Sequence, residues 1–248
     1  MLASNSIYQN NRSPNTDMPG ASVYDIDSYT SLLIHSDTSN NSTSFSDSSG
    51  NSLTCTPSGD TKHSTDQAKF GATSIKFDGT GDIITVAAHA SAFDVGAGDF
   101  TVDFWIYPNS AMITTTSATW FFSGTQDQNL SMAYSHNSTQ SLEAWASTNG
   151  SAWNIVGDAG TTVHGTDNSL TANEWQHLAM VRYGNLWKIF RNGTQECSVS
   201  ASGTVTTEMQ NGLTIAQHGG SAYRVNGYYD EFRFSKGIAR WTSNFTVY

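Results

Sequence analysis

Four aspartates stand at predicted strand ends or in turns rich in glycine and serine, where carboxylates could bind a metal ion: Asp37, Asp47, Asp78 and Asp230. Calcium takes roughly six to eight oxygen ligands from carboxylates and backbone carbonyls, and acidic turns supply both. Asp230 is the strongest single candidate because it interrupts the apolar alternation of residues 228–235. The alternative is that these aspartates accept hydrogen bonds from their own backbone in Asx-turns.

The central third of the sequence carries four aromatic residues beside many Asn, Ser and Asp: Trp120, Tyr134, Trp145 and Trp153. Flat aromatic rings can stack on the faces of sugars, while amides and carboxylates bind the hydroxyl groups. These four residues are therefore the candidates for carbohydrate binding. The alternative is packing, because aromatic side chains in a β-sandwich are buried more often than they contact a ligand.

No pair of acidic residues has the spacing of a glycosidase active site. The sequence holds five glutamates, and a retaining glycosidase needs two carboxyl groups only about 5 Å apart. The nearest candidates, Asp230 and Glu231, are neighbours that strict strand alternation would place on opposite faces. The seven histidines are dispersed without metal-ligand spacing, and no Ser/His/Asp signature occurs. The sequence therefore predicts a protein that is not an enzyme and has no catalytic residues.

The charge and hydropathy of the chain restrict its partners. The formal net charge is −10, and the eleven basic residues are scattered, which argues against a nucleic-acid partner. The acidity reflects either solubility or carboxylates that bind cations. No apolar run reaches membrane-spanning length, and the first twenty residues lack a signal-peptide pattern, so we expect no membrane partner. Cys55 and Cys197 are far apart in sequence and could be paired or free.

Alternating segments and turn signals predict the strands that must position these candidates. Residues 98–108 alternate: one face is apolar and the other amphipathic. The apolar face carries Phe100, Val102, Phe104 and Ile106, and the other carries Thr101, Asp103, Trp105 and Tyr107. Residues 174–200 predict three strands joined by tight turns at Gly184-Asn185 and Asn192-Gly193. Residues 29–248 are therefore predicted to form an all-β, antiparallel two-sheet sandwich of jelly-roll type. Trp175 and Trp241 are expected to cap the ends of its core.

Residues 1–28 differ from the rest of the chain. They are rich in Asn, Ser and Pro, contain few apolar residues and show no periodicity, which predicts an extended N-terminal arm. A segment of this composition becomes ordered only when a partner compensates its ordering entropy. We therefore expect the arm to anchor the domain to another protein or to a second copy of the chain. The alternative is that the arm packs on its own sandwich.

Six segments follow one another along the chain: residues 31–37, 45–51, 69–86, 98–108, 174–185 and 228–245. Taken together they resemble the laminin-G-like jelly-roll domains of the concanavalin A-like lectin/glucanase superfamily, and the resemblance covers about residues 30–245. It implies a structural calcium ion between the early loops and the last strand, with Asp37, Asp47, Asp78 and Asp230 as its ligands. Glucanases of the superfamily carry a Glu-x-Asp-x-x-Glu-like run, and this sequence has none.

The C-terminal ending SKGIARWTSNF, residues 235–245, is similar to versions of this domain on the surfaces of bacteriophages and aquatic bacteria. It implies a virion structural protein, such as a capsid decoration, fibre or tail component, whose arm contacts other virion proteins or a second copy in a homo-oligomer. The alternative is a carbohydrate-binding module that recognises a bacterial cell-surface polysaccharide. The resemblance indicates the fold and does not establish either function.

Overall fold

The computed structural model describes residues 26–114, 118–124, 129–135, 140–157, 160–218 and 224–247. Nearly all of the predicted arm lies outside these residues. The domain begins slightly before the predicted boundary, because Asp27 is already bound to it. The carboxylate of Asp27 accepts hydrogen bonds from Nη1 and Nη2 of Arg240, each at 3.0 Å, and another from the hydroxyl of Thr30 at 2.9 Å.

Two sheets form the fold, and their strands are numbered along the chain. Sheet A contains β1 (Thr30–Ile34), β4 (Lys62–Ser64), β5 (Ser74–Asp78), β7 (Phe100–Pro108), β12 (Gln176–Tyr183), β13 (Leu186–Arg191), β14 (Thr194–Ser200) and β16 (Asn226–Lys236). Sheet B contains β2 (Phe45–Ser46), β3 (Thr54–Ser58), β6 (Ile83–Val86), β8 (Thr119–Gly124), β9 (Leu130–Tyr134), β10 (Leu142–Ala146), β11 (Val163–His164) and β15 (Leu213–Ile215). A short helix, α1 (Ser110–Thr114), and a 3-10 turn, Thr207–Asn211, complete the described elements.

The order of sheet A is β14-β13-β12-β7-β16-β5-β4, and β1 also pairs with β16. The order of sheet B is β11-β10-β9-β8-β15-β6-β3-β2. Neighbouring strands in both sheets are antiparallel, so the predicted all-β antiparallel sandwich is confirmed. No helix of the described chain is long and apolar enough to cross a membrane.

The core lies between the two sheets, and the predicted alternation of β7 is confirmed. Phe100, Val102, Phe104 and Ile106 are fully buried in the core. The ring of Phe104 lies 5.6 Å from that of Phe121 in the opposite sheet. Burial of such aromatic side chains is the main favourable contribution to folding in a sandwich of this kind.

The C-terminal segment covers part of the outer face of sheet A. Gly237, with φ 82°, lets the chain turn after β16, and Trp241 and Phe245 then stack on each other at 4.0 Å. They pack against His177 of β12 and, through Phe245, against Phe190 of β13. The sequence predicted that Trp241 caps the end of the core, and this prediction is wrong. Trp241 lies on the outer face because the chain folds back there.

The two predicted tight turns of sheet A are present, but they differ in conformation. Asn192 and Gly193 both have positive φ, 49° and 74°, as a type I′ hairpin requires. In the Gly184-Asn185 turn, Gly184 has a positive φ and Asn185 does not. A side chain at position 193 would also lie 2.0 Å from the carbonyl oxygen of Phe245, so glycine is needed for the C-terminal segment to pack.

The two cysteines are free, which settles the alternative left open by the sequence. Cys55 lies on β3 of sheet B and Cys197 on β14 of sheet A. Burial raises the pKa of the Cys55 thiol to about 12 and that of Cys197 to about 11. Both groups are therefore protonated and poorly reactive at neutral pH.

Candidate functional site

Three of the four predicted aromatic residues meet on the outer face of sheet B. Trp120 of β8 and Trp145 of β10 point away from the core, and their ring centroids are 5.5 Å apart. Trp153 stacks on Trp120 at 6.0 Å and contacts Trp145 edge-on at 5.7 Å. His218 lies 4.4 Å from Trp120. We call these four residues the tryptophan cluster.

A bulge in β8 places Trp120 on the outer face. The pairing of β8 with β9 shifts between Trp120 and Phe122, and both Phe121 and Phe122 are buried in the core. Trp145 reaches the same face by simple alternation, because Leu142, Ala144 and Ala146 of β10 face the core. The outward positions of these two strands therefore bring the two indoles together.

Trp153 reaches the cluster because the segment after β10 folds back over the sheet. Backbone hydrogen bonds join Ile155 to Ala146, and Gly157 has a φ of 121°. A side chain at position 157 would lie 2.5 Å from the ring of Trp145 and 2.7 Å from Cβ of Trp153. Glycine is therefore required there for Trp153 to pack against Trp145.

His218 was not among the predicted site residues, because its position matches neither a metal-ligand spacing nor a Ser/His/Asp signature. His218 follows β15, the neighbour of β8, and the hydroxyl of Ser123 fixes this segment by donating to the carbonyl oxygen of Gln217 at 3.1 Å. A usable signal was available: a histidine just after a strand, in a chain with several outward aromatic residues, can extend an aromatic surface.

Tyr134 does not belong with the other three aromatic residues. It is fully buried between the sheets, on the same side of β9 as Leu130 and Met132. The period-2 alternation of β9 causes this placement, since residues 130, 132 and 134 share a face. Tyr134 cannot contact a sugar while the sandwich is folded.

The tryptophan cluster combines apolar faces with unused hydrogen-bonding groups. Trp120, Trp145 and His218 are partly exposed, whereas Trp153 is 7% exposed and lies mostly covered. Nε1 of Trp145 and Oγ of Ser131, which faces Trp145 on β9, are buried and have no hydrogen-bond partner in the described structure. The partly exposed rings offer the apolar faces on which a sugar can stack.

The four predicted metal ligands do not form one cluster. The carboxylate of Asp47 binds backbone amides. Its Oδ1 accepts hydrogen bonds from the amides of Leu33 and Ser49 at 3.0 and 2.8 Å. Its Oδ2 accepts from the amide of Leu53 at 2.8 Å and from the hydroxyl of Ser49 at 2.7 Å. Both carboxylate oxygens of Asp47 therefore accept hydrogen bonds from the protein, as the Asx-turn alternative to metal binding predicts.

Asp78 comes together with two aspartates that were not predicted. Among the described residues, the carboxylates of Asp60, Asp78 and Asp82 offer oxygens within 4.8 Å of one another. Asp60 lies in the turn between β3 and β4, and Asp78 and Asp82 flank the turn between β5 and β6. The two turns are joined because Asp82 accepts hydrogen bonds from the amides of Asp60 and Asp78 at 2.8 and 2.9 Å. Burial and then the neighbouring carboxylates raise the pKa of Asp82. Hard oxygen donors of this kind fit calcium, and calcium binding by this chain stays a prediction.

Asp230 and Glu231 lie together at a bulge in β16, which corrects the strict alternation assumed from the sequence. The pairing of β16 with β7 shifts between Asp230 and Arg233, and Glu231 has a φ of 52°. Oε2 of Glu231 lies 2.8 Å from Nδ1 of His35. Burial raises the pKa of Asp230 to about 8, and the charges of Glu231 and Asp37 contribute to the rise.

The backbone of Lys69 and Phe70 covers the carboxylates of Asp230 and Glu231. Oδ2 of Asp230 accepts hydrogen bonds from the amides of Lys69 and Phe70, each at 3.0 Å, and Oδ1 accepts from the amide of Glu231 at 3.0 Å. Asp230 and Glu231 are both 0% exposed. Asp37, by contrast, is exposed and packs against Gly71. The pair is therefore closed to a polysaccharide in this structure.

Several solved structures share the fold at low sequence identity. The binding domain of Paraclostridial mosquitocidal protein 1 matches with a TM-score of 0.62 at 14% identity, over 86% of this chain and 50% of that one. The botulinum neurotoxin serotype D ligand binding domain, solved with N-acetylneuraminic acid, matches with a TM-score of 0.58 at 13% identity, over 86% and 48%. This chain thus spans about half the length of these toxin domains.

Domain 4 of AbnA, an extracellular GH43 arabinanase from Geobacillus stearothermophilus solved with arabinotriose, matches over 93% of its length and 85% of this chain. Its TM-score is 0.56 at 18% identity. A comparison with curated proteins found no match. The family model of the concanavalin A-like lectin/glucanases superfamily, in its laminin-G form, matches residues 78–240, which is more than half of the chain. Together with the two-sheet fold, this match shows that the chain belongs to the concanavalin A-like lectin/glucanases superfamily.

Proposed function

We propose that this chain is a carbohydrate-binding domain whose site is the tryptophan cluster. One observation carries the proposal: Trp120, Trp145 and Trp153 come from three separate segments and meet, with His218, on one partly exposed outer face. The core does not need these rings, because the inward residues of β8 and β10 already fill it. The complexes of two similar domains with arabinotriose and N-acetylneuraminic acid support a saccharide as the ligand.

Replacing Trp120 or Trp145 by alanine is expected to weaken glycan binding at least tenfold, because each substitution removes a stacking surface. A glycan array that includes bacterial surface polysaccharides would identify the ligand, and calorimetry would measure the affinity. Tyr183→Ala is the matched control, since Tyr183 is an exposed aromatic residue on sheet A. Binding that survives both tryptophan substitutions, or no binding to any glycan, would contradict the proposal.

We also propose that the domain does not hydrolyse its ligand. Asp230 and Glu231 are adjacent, but both are fully buried and their oxygens are held by backbone amides and by His35. We expect the purified protein to release no reducing sugar from any polysaccharide that it binds. Release that is abolished by Glu231→Gln would overturn this expectation.

The virion role stays a prediction that rests on the resemblance. The C-terminal ending that suggested it packs on its own domain, through Trp241 and Phe245, so its sequence is explained by the stability of the sandwich. The predicted anchoring arm lies outside the described residues. A carbohydrate-binding function is compatible with a place on a virion or cell surface, because virions and cells adhere to glycans.

A further inference from the structure

A row of aromatic residues and lysines crosses the outer face of sheet A. Tyr107 of β7 pairs directly with Tyr228 of β16, which pairs with Lys76 of β5, which pairs with Lys62 of β4. Trp175, just before β12, extends the row at the other side by packing edge-on against Tyr107 at 5.7 Å. We call these five residues the aromatic–lysine row.

The row is held in a fixed arrangement. The ring of Tyr228 meets that of Tyr107 at 5.9 Å and 78°, and Nζ of Lys76 lies 5.7 Å from the centre of the Tyr228 ring. Nζ of Lys76 also donates to Oδ2 of Asp66 at 2.7 Å. Tyr107, Trp175 and Lys76 nevertheless remain partly exposed.

This surface is distinct from the tryptophan cluster, because it lies on the other sheet and faces the opposite way. Other parts of the outer face of sheet A are covered by the chain itself. Trp241 and Phe245 lie over His177, and the segment of Lys69 and Phe70 lies over Trp105. The exposed rings of the row are therefore left available, whereas their neighbours have a packing role.

The charge of the surface indicates the kind of ligand. The chain has a net charge of −10 and only eleven basic residues, yet three lysines gather here. Lys62 and Lys76 are paired with Asp60 and Asp66 at 3.6 and 2.7 Å. Lys69 lies with Nζ 4.1 Å from the centre of the Trp105 ring.

Lys69 is the cation best placed to bind an anion. Within the described part of the chain, its ammonium has no carboxylate at salt-bridge distance, while the two aspartates of the row neutralise the other lysines. Trp105 and Tyr107 share one face of β7, two residues and about 7 Å apart along the strand, so Lys69, which lies over the buried ring of Trp105, is next to the row. A cation next to the partly exposed rings of Tyr107 and Trp175 suits a ligand that offers both a face for stacking and one carboxylate.

We propose that the aromatic–lysine row, with Lys69, is a second binding surface that takes an acidic saccharide. A sugar ring would stack on Tyr107 and Trp175, and its carboxylate would bind the ammonium of Lys69. The domain would then hold two glycan segments on opposite faces, and the two sites would differ in charge preference.

Calorimetry with trigalacturonate and sialyllactose, each beside its neutral counterpart galactotriose or lactose, tests the proposal on the full chain. An acidic probe should bind more tightly than its neutral counterpart, and more weakly at high salt. Trp175→Ala should weaken this binding at least tenfold, while Trp175→Phe retains it. Lys69→Gln should remove the preference for the acidic probe, and the control Lys236→Gln, at the far end of β16, should not.

Variants of the two surfaces separate this inference from the proposed function. Trp120→Ala should leave the binding of the acidic probe unchanged and abolish binding of the array ligand. If Trp120→Ala loses binding of the acidic probe and Trp175→Ala does not, the acidic probe binds at the tryptophan cluster. That result would overturn the second site and leave the proposed function standing. Failure of both acidic probes to bind would also overturn the second site, whether or not the array ligand binds.

Discussion

Asp103→Ala is expected to lower the free energy of unfolding by about 3–5 kcal/mol, because it leaves a buried guanidinium without its partner. Oδ1 and Oδ2 of Asp103 accept hydrogen bonds from Nε and Nη2 of Arg233, each at 3.0 Å. Nε2 of His177 lies 3.4 Å from Oδ2. Asp103 is 0% exposed and Arg233 5%, so water cannot replace the lost carboxylate.

Chemical denaturation of two further variants provides the controls. Asp66→Ala removes the exposed pair with Lys76 and should cost less than about 1 kcal/mol. Asp103→Leu combined with Arg233→Met removes both buried charges and should recover much of the loss. A single Asp103→Ala variant that is no less stable than Asp66→Ala would show that this ion pair does not stabilise the outer layer of sheet A.

The same carboxylate should make the domain sensitive to acid. Burial alone would raise the pKa of Asp103, but Arg233 and His177 outweigh it and hold the pKa at about 2. An aspartate in the unfolded chain has a pKa of about 3.9, so the folded state binds the proton more weakly. The stabilisation is therefore complete above about pH 5 and is lost progressively as the pH falls through 4 towards about 1, by roughly 2–3 kcal/mol in all. Asp103→Asn should flatten this part of the curve of stability against pH.

The sequence predicted those parts of the fold that follow a simple period. The alternation of Phe100, Val102 and Phe104 identified the core face of β7, and Asn192-Gly193 identified a type I′ turn. The same rule, applied to β9, would have placed Tyr134 in the core. Trp120 and Trp145 were found because large aromatic residues in polar surroundings are unusual, although nothing in their sequence shows that they meet.

Bulges and long-range packing account for what the sequence did not show. The extra residue at Glu231 breaks the period of β16, and no local pattern indicates where a strand admits one. Trp241 was expected at the end of the core, but its place depends on how the chain turns at Gly237. The clustering of Asp78 with Asp60 and Asp82 depends on a contact between two separate turns. These features arise from the tertiary structure, so a linear pattern does not contain them.

Asp47→Ala is expected to lower the free energy of unfolding by about 3 kcal/mol or more, because four donors lose a charged acceptor. A hydrogen bond to a charged group contributes about 1.5–3 kcal/mol, and losses within one network are smaller than their sum. The amides of Leu33 and Leu53 belong to buried residues, so they would be left without a partner in the apolar interior. Asp37→Ala is the control and should cost less than about 0.5 kcal/mol, because Asp37 is exposed.

Repeating this comparison with a chelator and with millimolar calcium separates the two roles considered for Asp47. If the carboxylate only organises backbone, the loss in Asp47→Ala is the same under both conditions. If Asp47 is a calcium ligand, the wild-type domain gains about 2.7 kcal/mol at a hundredfold excess over the dissociation constant, and the variant does not. We expect the first result, because all the hydrogen bonds of Asp47 already run to the chain between Leu33 and Leu53. Any gain from calcium should instead be lost in Asp78→Asn, whose carboxylate lies beside those of Asp60 and Asp82.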